Sequence, residues 1–241
     1  MRVTRLDSVQ QVPTTDHHQH LQDALAALDA AFAPVTEQRV ARVGGCTHCY
    51  GVDDLEVLAG PARLVPEELI PTVAAESIDH WDDFPTTYRR FTPRIVRALV
   101  TDTLHVDHGL IGSRLRAAGW QEWPQREREA LETVWHAWWL ATLHHHPGQA
   151  HVTDVLETVA VSTGALTPWL ATWSATRTDA ADQHLGDALD VWLHQGGLAD
   201  LHLGFYSELP ATPELLPWLL ALTAGRIGAA QLAEVERIAY S

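Results

Sequence analysis

The sequence predicts an all-α protein. Apolar residues recur at helical spacing along most of the chain, as Leu21, Leu25, Leu28 and Phe32 do, which is the pattern of one buried helix face. No segment shows sustained alternation of β-branched residues between turn signals, and only the short stretch 201–206 is ambiguous. Because glycine and proline separate the periodic segments, we expect stacked antiparallel helix pairs, either as an irregular HEAT-like stack or as a compact orthogonal bundle.

The helices predicted in the first half each begin at a capping side chain or a proline. Aspartates such as Asp16 and Asp107 can accept a hydrogen bond from a first-turn N–H group, and a first-turn proline loses no helical bond. Pro34 is expected to end the first helix, Pro71 to kink or delay the third, and Pro93 to start a new one. The predicted segments are 16–34, 53–58, 66–81, a short helix from residue 83, 93–100 and 110–118.

The second half is also predicted to be helical, with residues 124–146 as the longest helix. The later segments are 153–163, a helix from residue 167, 179–195, a helix from residue 212, and 228–240. The chain shows no fixed repeat period, which disfavours a regular solenoid. We expect residues 1–15 to be a disordered lead-in and residues 16–241 to be a single all-α domain, with a subdivision near 120–124 as the alternative.

The charge of the chain argues against several classes of function. Lys+Arg total 16 and Asp+Glu total 31, which gives a net charge of −15, and every positive residue is an arginine. We expect no binding to nucleic acid or to anionic membranes, because both require clustered positive charge. The absence of lysine excludes Schiff-base catalysis and a phosphate-binding P-loop.

The remaining sequence signals predict a cytoplasmic protein. The two cysteines lie three positions apart and cannot form an extracellular disulfide framework. The N-terminal segment lacks the apolar core of a secretory signal, and no run of about 18 apolar residues indicates a transmembrane helix.

The segment Cys46-Thr47-His48-Cys49 is the sharpest local signal for chemistry. Two thiolates separated by two residues can bind one zinc ion, because the intervening turn places both sulfurs on one side. Zinc takes four ligands, so the others must be histidine or acidic side chains from elsewhere. His20 is favoured because its helix leads into this knuckle, and the other candidates include His17, His18, His80, His105 and His108.

Two other interpretations of the cysteine pair stay open. A CxxC motif at a helix N-terminus can cycle between dithiol and disulfide, but such motifs usually follow a strand, and none is predicted here. The pair can also be two reduced, partly buried loop cysteines without a metal.

Fifteen histidines raise the question of a second kind of metal site. The densest cluster is residues 144–146 with His151, but neighbouring residues on a helix point about 100° apart and cannot all face one metal. Histidines at a helix C-terminus are favoured by the helix dipole, which accounts for them without a ligand. His105 and His108 with Asp102 form a weaker candidate group.

Four arginines crowd the segment 89–97 of this acidic chain. Planar guanidinium groups suit anions and carboxylates, so this segment is a candidate binding surface formed by Arg89, Arg90, Arg94 and Arg97. The alternative is internal ion pairing, for which the expected partners are Asp82, Asp83 and Asp102.

Ten tryptophans are many for a chain of this length. Most are expected to pack in the core, with each indole N–H bonded to a backbone group. The alternative is an aromatic binding surface. Trp139 is the first candidate, since it is rotated away from the stripe of Trp135 and Trp138, and Trp120 and Trp123 are the next.

Several of these features occur in one order along the chain. They are Cys46-Thr-His-Cys49-Tyr50, Trp81, Phe91-Thr-Pro-Arg94-Ile95 and Trp123-Pro followed by Glu129. In this order the chain resembles an uncharacterised family of bacterial cytosolic helical proteins that have a CxxC knuckle, a Trp with an acidic segment, and an F-x-P-R helix start. The resemblance covers residues 20–140, and Thr92 departs from it where an aliphatic residue is expected. It implies an architecture and no activity.

Two hypotheses of function follow. The first is a non-catalytic protein–protein interaction module of the adaptor or immunity/inhibitor type, whose acidic surface binds a basic protein partner and whose knuckle holds a structural zinc ion. The second is an enzyme with a thiol-redox or His/carboxylate metal site. The sequence does not supply a complete set of nucleophile, base and orienting residue, so the first is favoured.

Overall fold

The computed structural model describes residues 16–194, 197–222 and 225–240, and it confirms the all-α fold. The predicted lead-in 1–15 and the predicted helix end at residue 195 lie outside the described residues. No described helix combines the length and apolar character needed to cross a bilayer. In chain order the helices are α1 (His17–Thr36), α2 (Val52–Ala59), α3 (Ile70–Ala75), α4 (Phe84–Val100), α5 (His108–Ala117), α6 (Gln125–His144), α7 (Val152–Thr163), α8 (Thr167–Ala175), α9 (Asp179–His194), α10 (Thr212–Ala221) and α11 (Ala229–Ala239).

The predicted capping residues begin and end several of these helices. Asp16 Oδ1 accepts a hydrogen bond from the backbone N–H of Gln19 (3.0 Å), and Asp107 Oδ1 accepts one from Leu110 (2.8 Å). Gly119 follows α5 with a φ of 66°, a left-handed conformation that glycine adopts without a steric penalty. Local chemistry therefore sets these boundaries, as the sequence indicated.

Two prolines do not break their helices. α1 continues through Pro34 to Thr36, and α4 continues through Pro93, so the breaks predicted at these residues are wrong. Pro34 lies in the last turn of α1, and only Val35 and Thr36 follow it in the helix. Near Pro93, Phe91 and Ile95 are fully buried, and burial along α4 outweighs the roughly 3 kcal/mol that an internal proline costs.

The segment predicted as one helix over 66–81 is divided in the structure. A 3-10 turn at Glu67–Leu69 precedes α3, so Pro71 delays the helix as expected. Beyond α3 a second 3-10 turn forms at Ile78–His80, and Trp81 is extended and pairs with Gly45 in an isolated β-bridge. The bridge brings residue 80 beside the cysteines, which a continuous helix over this segment would not do.

The core joins helices that are distant in sequence. α1 packs along α6 and α4, and α5 packs along α7, while α9 lies against α6, α7 and α11. Neighbouring helices such as α3 and α4, or α6 and α7, pack together as well, so the core combines local and long-range contacts. One connected set of buried side chains extends from Leu21 in α1 to Val235 in α11.

The ambiguous stretch after residue 200 forms part of a small hairpin. β1 (His202–Leu203) pairs antiparallel with β2 (Leu209–Pro210), with Leu203 opposite Leu209. This is the only sheet in the described part of the chain. Its tip carries Phe205 and Tyr206, which are 54% and 56% exposed.

Candidate metal centre

Two connections meet at the cysteine pair, one between α1 and α2 and the other between α3 and α4. The Gly45–Trp81 bridge joins them. Beside it, the backbone N–H of Cys46 donates to the carbonyl oxygen of His80 at 2.8 Å. The backbone therefore fixes Cys46 next to His80.

A tight turn places the two sulfurs on the same side. The N–H groups of Cys49 and Tyr50 both donate to the carbonyl oxygen of Cys46, at 3.2 and 3.1 Å. The close approach of the second connection favours glycine, because a Cβ atom on Gly45 would lie 3.2 Å from the Trp81 indole, a tight contact.

Cys46, Cys49 and His80 bring three ligand atoms into one group. Their sulfurs and one ring nitrogen all lie within 4.8 Å of one another, and Cys49 Sγ is 3.3 Å from His80 Nδ1. In a tetrahedral zinc site, bonds of about 2.3 Å to sulfur and 2.0 Å to nitrogen separate neighbouring ligand atoms by roughly 3.5 Å. The observed spacing therefore suits a zinc ion among the three side chains.

Glu76 extends this group on the side of the histidine. Its Oε1 lies 2.8 Å from His80 Nδ1, and its side chain is only 9% exposed. The same carboxylate interacts with the Cys49 thiol and contributes to a raised thiol pKa. Glu76 is thus an acidic side chain in contact with two members of the group, His80 and Cys49.

The electrostatics of the site favour a cation. Backbone N–H groups of Cys49 and His48 donate to Cys46 and hold the pKa of its thiol below the usual value. Desolvation, together with the neighbouring Cys46 and Glu76, raises the pKa of Cys49 to about 11. Three groups that carry or acquire negative charge are therefore crowded together, and a divalent cation relieves their mutual repulsion.

The hydroxyl of Tyr50 lies buried beside the site. The Tyr50 ring packs on Trp81, with ring centroids 5.0 Å apart, and its hydroxyl has no hydrogen-bond partner among the described residues. Burial, with a smaller contribution from Glu76, raises the pKa of this phenol, so Tyr50 stays neutral and keeps a donor proton.

The histidine in this group is not the one that the sequence favoured. His20 is exposed on α1 and does not belong to the group, whose histidine is His80. His80 lies 31 positions from Cys49, and the β-bridge with its neighbouring backbone hydrogen bonds brings the two together. The spacing of residues along one helix contains no signal for this contact.

Arg90, the second residue of the predicted arginine surface, is a structural residue. It is 3% exposed, and its guanidinium donates to the carbonyl oxygens of Leu58 (3.1 Å), Gly60 (2.7 Å) and Gln38 (3.4 Å). Arg90 therefore ties α4 to the end of α2 and to the connection that precedes it.

The other three arginines form ion pairs within the chain. Asp82, Asp83 and Asp102 are not their partners, so the expected identity of the acids is wrong, although pairing itself occurs. Each of these three charges therefore has an acidic partner within the chain. The pairs are Arg89 with Glu127 (2.6 Å), Arg94 with Glu67 (2.5 Å) and Arg97 with Asp29 (2.5 Å).

Trp139 belongs to the core. It is fully buried, and its indole N–H donates to the carbonyl oxygen of Trp169 at 3.1 Å, so the prediction of a surface role is wrong. Trp120 and Trp123 are buried as well. α1, α7 and α9 all contact α6, which covers residues outside the expected stripe.

No protein-family model matches this chain, and no curated protein or solved structure matches it. The resemblance to a bacterial helical family stays a prediction, and the interpretation of the site depends on its geometry.

Proposed function

We propose that this chain is a zinc-binding helical protein that holds the ion with Cys46, Cys49 and His80, with Glu76 as the fourth ligand. The observation that carries the proposal is the convergence of two sulfurs and a ring nitrogen within 4.8 Å. Thiolate and imidazole donors suit zinc better than magnesium or calcium, which prefer oxygen.

In this proposal the zinc ion has a structural role. The ligands come from two connections that are otherwise joined by an isolated bridge and a few backbone bonds. A bound ion fixes the start of α2 against the start of α4, where local secondary structure contributes little. The buried hydroxyl of Tyr50 has no partner among the described residues. It can donate a hydrogen bond to the Glu76 carboxylate when that carboxylate binds the ion.

Elemental analysis of the purified full chain tests the zinc site. We expect Cys46→Ser and His80→Ala each to bind one zinc ion fewer than the wild type. His48→Ala is the matched control, because His48 lies inside the knuckle, is exposed and does not belong to the ligand group. A zinc content in His80→Ala equal to that of the wild type would contradict the ligand set, and a Cys46–Cys49 pair that forms a disulfide without binding zinc would favour the redox alternative.

We further propose that the protein acts as a non-catalytic interaction module for a basic protein partner. The net charge of −15 favours association with such a partner through long-range attraction. The exposed aromatic pair Phe205 and Tyr206 at the hairpin tip supplies the kind of side chain that dominates binding energy. The acidic Glu208 lies within the same turn.

Affinity purification from the native cell, with the full chain as bait, tests this second proposal. We expect a basic protein to be recovered with the wild type and lost with Phe205→Ser. Tyr240→Ser is the control, because Tyr240 is 81% exposed but lies away from the hairpin in sequence, after α11. Equal recovery with both variants would remove the hairpin from the interface, and turnover of a small molecule dependent on Cys46 would favour an enzyme.

A further inference from the structure

A second group of metal-ligating side chains lies far along the chain from the cysteines. His146 follows α6, and His184 and Asp187 lie three positions apart on α9, so that they share one face of that helix. One ligand atom of each residue lies within 4.8 Å of the other two. The sequence marked the cluster at 144–146, but its two further donors come from another helix.

The contacts of this group go beyond one ion pair. His146 Nε2 lies 2.8 Å from Asp187 Oδ2, which by itself is an ordinary contact. The His184 ring also approaches, with its centroid 4.7 Å from that of His146 and the two rings nearly perpendicular. Two imidazoles and a carboxylate thus converge on one point, whereas an ion pair needs one of each.

The buried histidine is held in place by the backbone. His184 is 3% exposed, and its Nε2 lies 2.9 Å from the carbonyl oxygen of His145. Since a carbonyl only accepts, Nε2 carries the proton of this hydrogen bond. Histidines that bind metals commonly donate their other N–H to a backbone carbonyl in this way, which fixes the tautomer and the ring.

The group is reached from solvent on one side. The side chains of His146 and Asp187 are 22% and 48% exposed, so the group opens to solvent on one side. A cation can therefore enter, and water can fill the positions that the three residues leave.

We propose that His146, His184 and Asp187 bind a second divalent transition-metal ion, with water as the remaining ligands. Two imidazoles and one carboxylate favour zinc, cobalt, nickel or ferrous iron over magnesium and calcium. The site contains no sulfur donor and shares no ligand with the Cys46 group, so the two metals can be distinguished.

Titration of the full chain with zinc, followed by elemental analysis, gives the first test. We expect two equivalents in the wild type, one in Asp187→Asn, one in Cys46→Ser and none in the variant that carries both changes. His194→Ala is the matched control, because His194 is an exposed histidine at the end of the same helix. A single equivalent in the wild type that Asp187→Asn leaves unchanged would overturn the second site.

Cobalt loading separates the two sites and reports on folding. Thiolate ligands give cobalt(II) an intense near-ultraviolet charge-transfer band, which should persist in Asp187→Asn and in His146→Gln while one cobalt equivalent is lost. Persistence of the band shows that the Cys46 group is intact, so the loss cannot result from unfolding. Full cobalt content in both variants would overturn the proposal and leave the zinc proposal for the cysteines untouched.

Discussion

The Cys46–Cys49 knuckle and the arginine segment 89–97 both carry residue types associated with binding, but the structure uses them differently. The arginines donate to carbonyl oxygens or pair with acids inside the chain. The donors of the knuckle converge on one another and leave a position where a cation fits. Clustered charge in sequence is thus weak evidence for a site when the fold supplies the partners.

The largest expected effect tests whether the arginine segment is structural. Arg90→Met removes hydrogen bonds to three carbonyl oxygens and leaves them without that donor, which should lower the free energy of unfolding by about 3 kcal/mol. Arg97→Met breaks an exposed pair with Asp29 and should cost less than about 1 kcal/mol. Urea unfolding of both variants measures the difference. Equal losses would contradict the view that acceptor oxygens, not charge, hold this segment.

The sequence determines much of this fold because helices are local. Caps such as Asp16 and Asp107, and the left-handed Gly119, follow from short-range chemistry and could be predicted. The continuation of α4 through Pro93 could not, since it depends on burial against other helices.

The candidate site divides in the same way. Cys46 and Cys49 are neighbours in sequence, and their spacing alone predicts a shared ion. His80 reaches them through a bridge between two connections. Glu76, which comes directly after α3, contacts His80. Neither contact leaves a periodic pattern, so both required the folded chain. The partners of the arginines were missed for the same reason.

The next largest effect concerns the knuckle, where zinc affinity should depend on pH. The pKa of Cys49 is about 11, so at neutral pH this thiol carries a proton that zinc must displace. Because low pH favours the protonated thiol, the zinc affinity should fall about tenfold per pH unit for each displaced proton as the pH is lowered from about 8 to 6.

Competition with a chromophoric chelator at several pH values measures this slope. His48→Ala should show the slope of the wild type, since His48 is not among the three grouped ligands. An affinity that does not change with pH would exclude coordination by the Cys49 thiolate and return the pair to an unliganded role.

The smallest expected effect concerns Arg114, and it separates the contribution of burial to stability from that of hydrogen bonding. Arg114 is as buried as Arg90, at 3% exposed each, but its guanidinium forms no hydrogen bond to an oxygen among the described residues and instead lies 5.6 Å from the ring of Tyr206. A buried charge without acceptors contributes desolvation cost and little compensation. Arg114→Met keeps most of the packing volume and should change the free energy of unfolding by less than about 1 kcal/mol, in either direction. The same urea experiment that resolves Arg90→Met measures it. A loss as large as that of Arg90→Met would show that burial alone makes these arginines structural. Hydrogen bonding within the chain would then no longer distinguish the arginine segment from the knuckle.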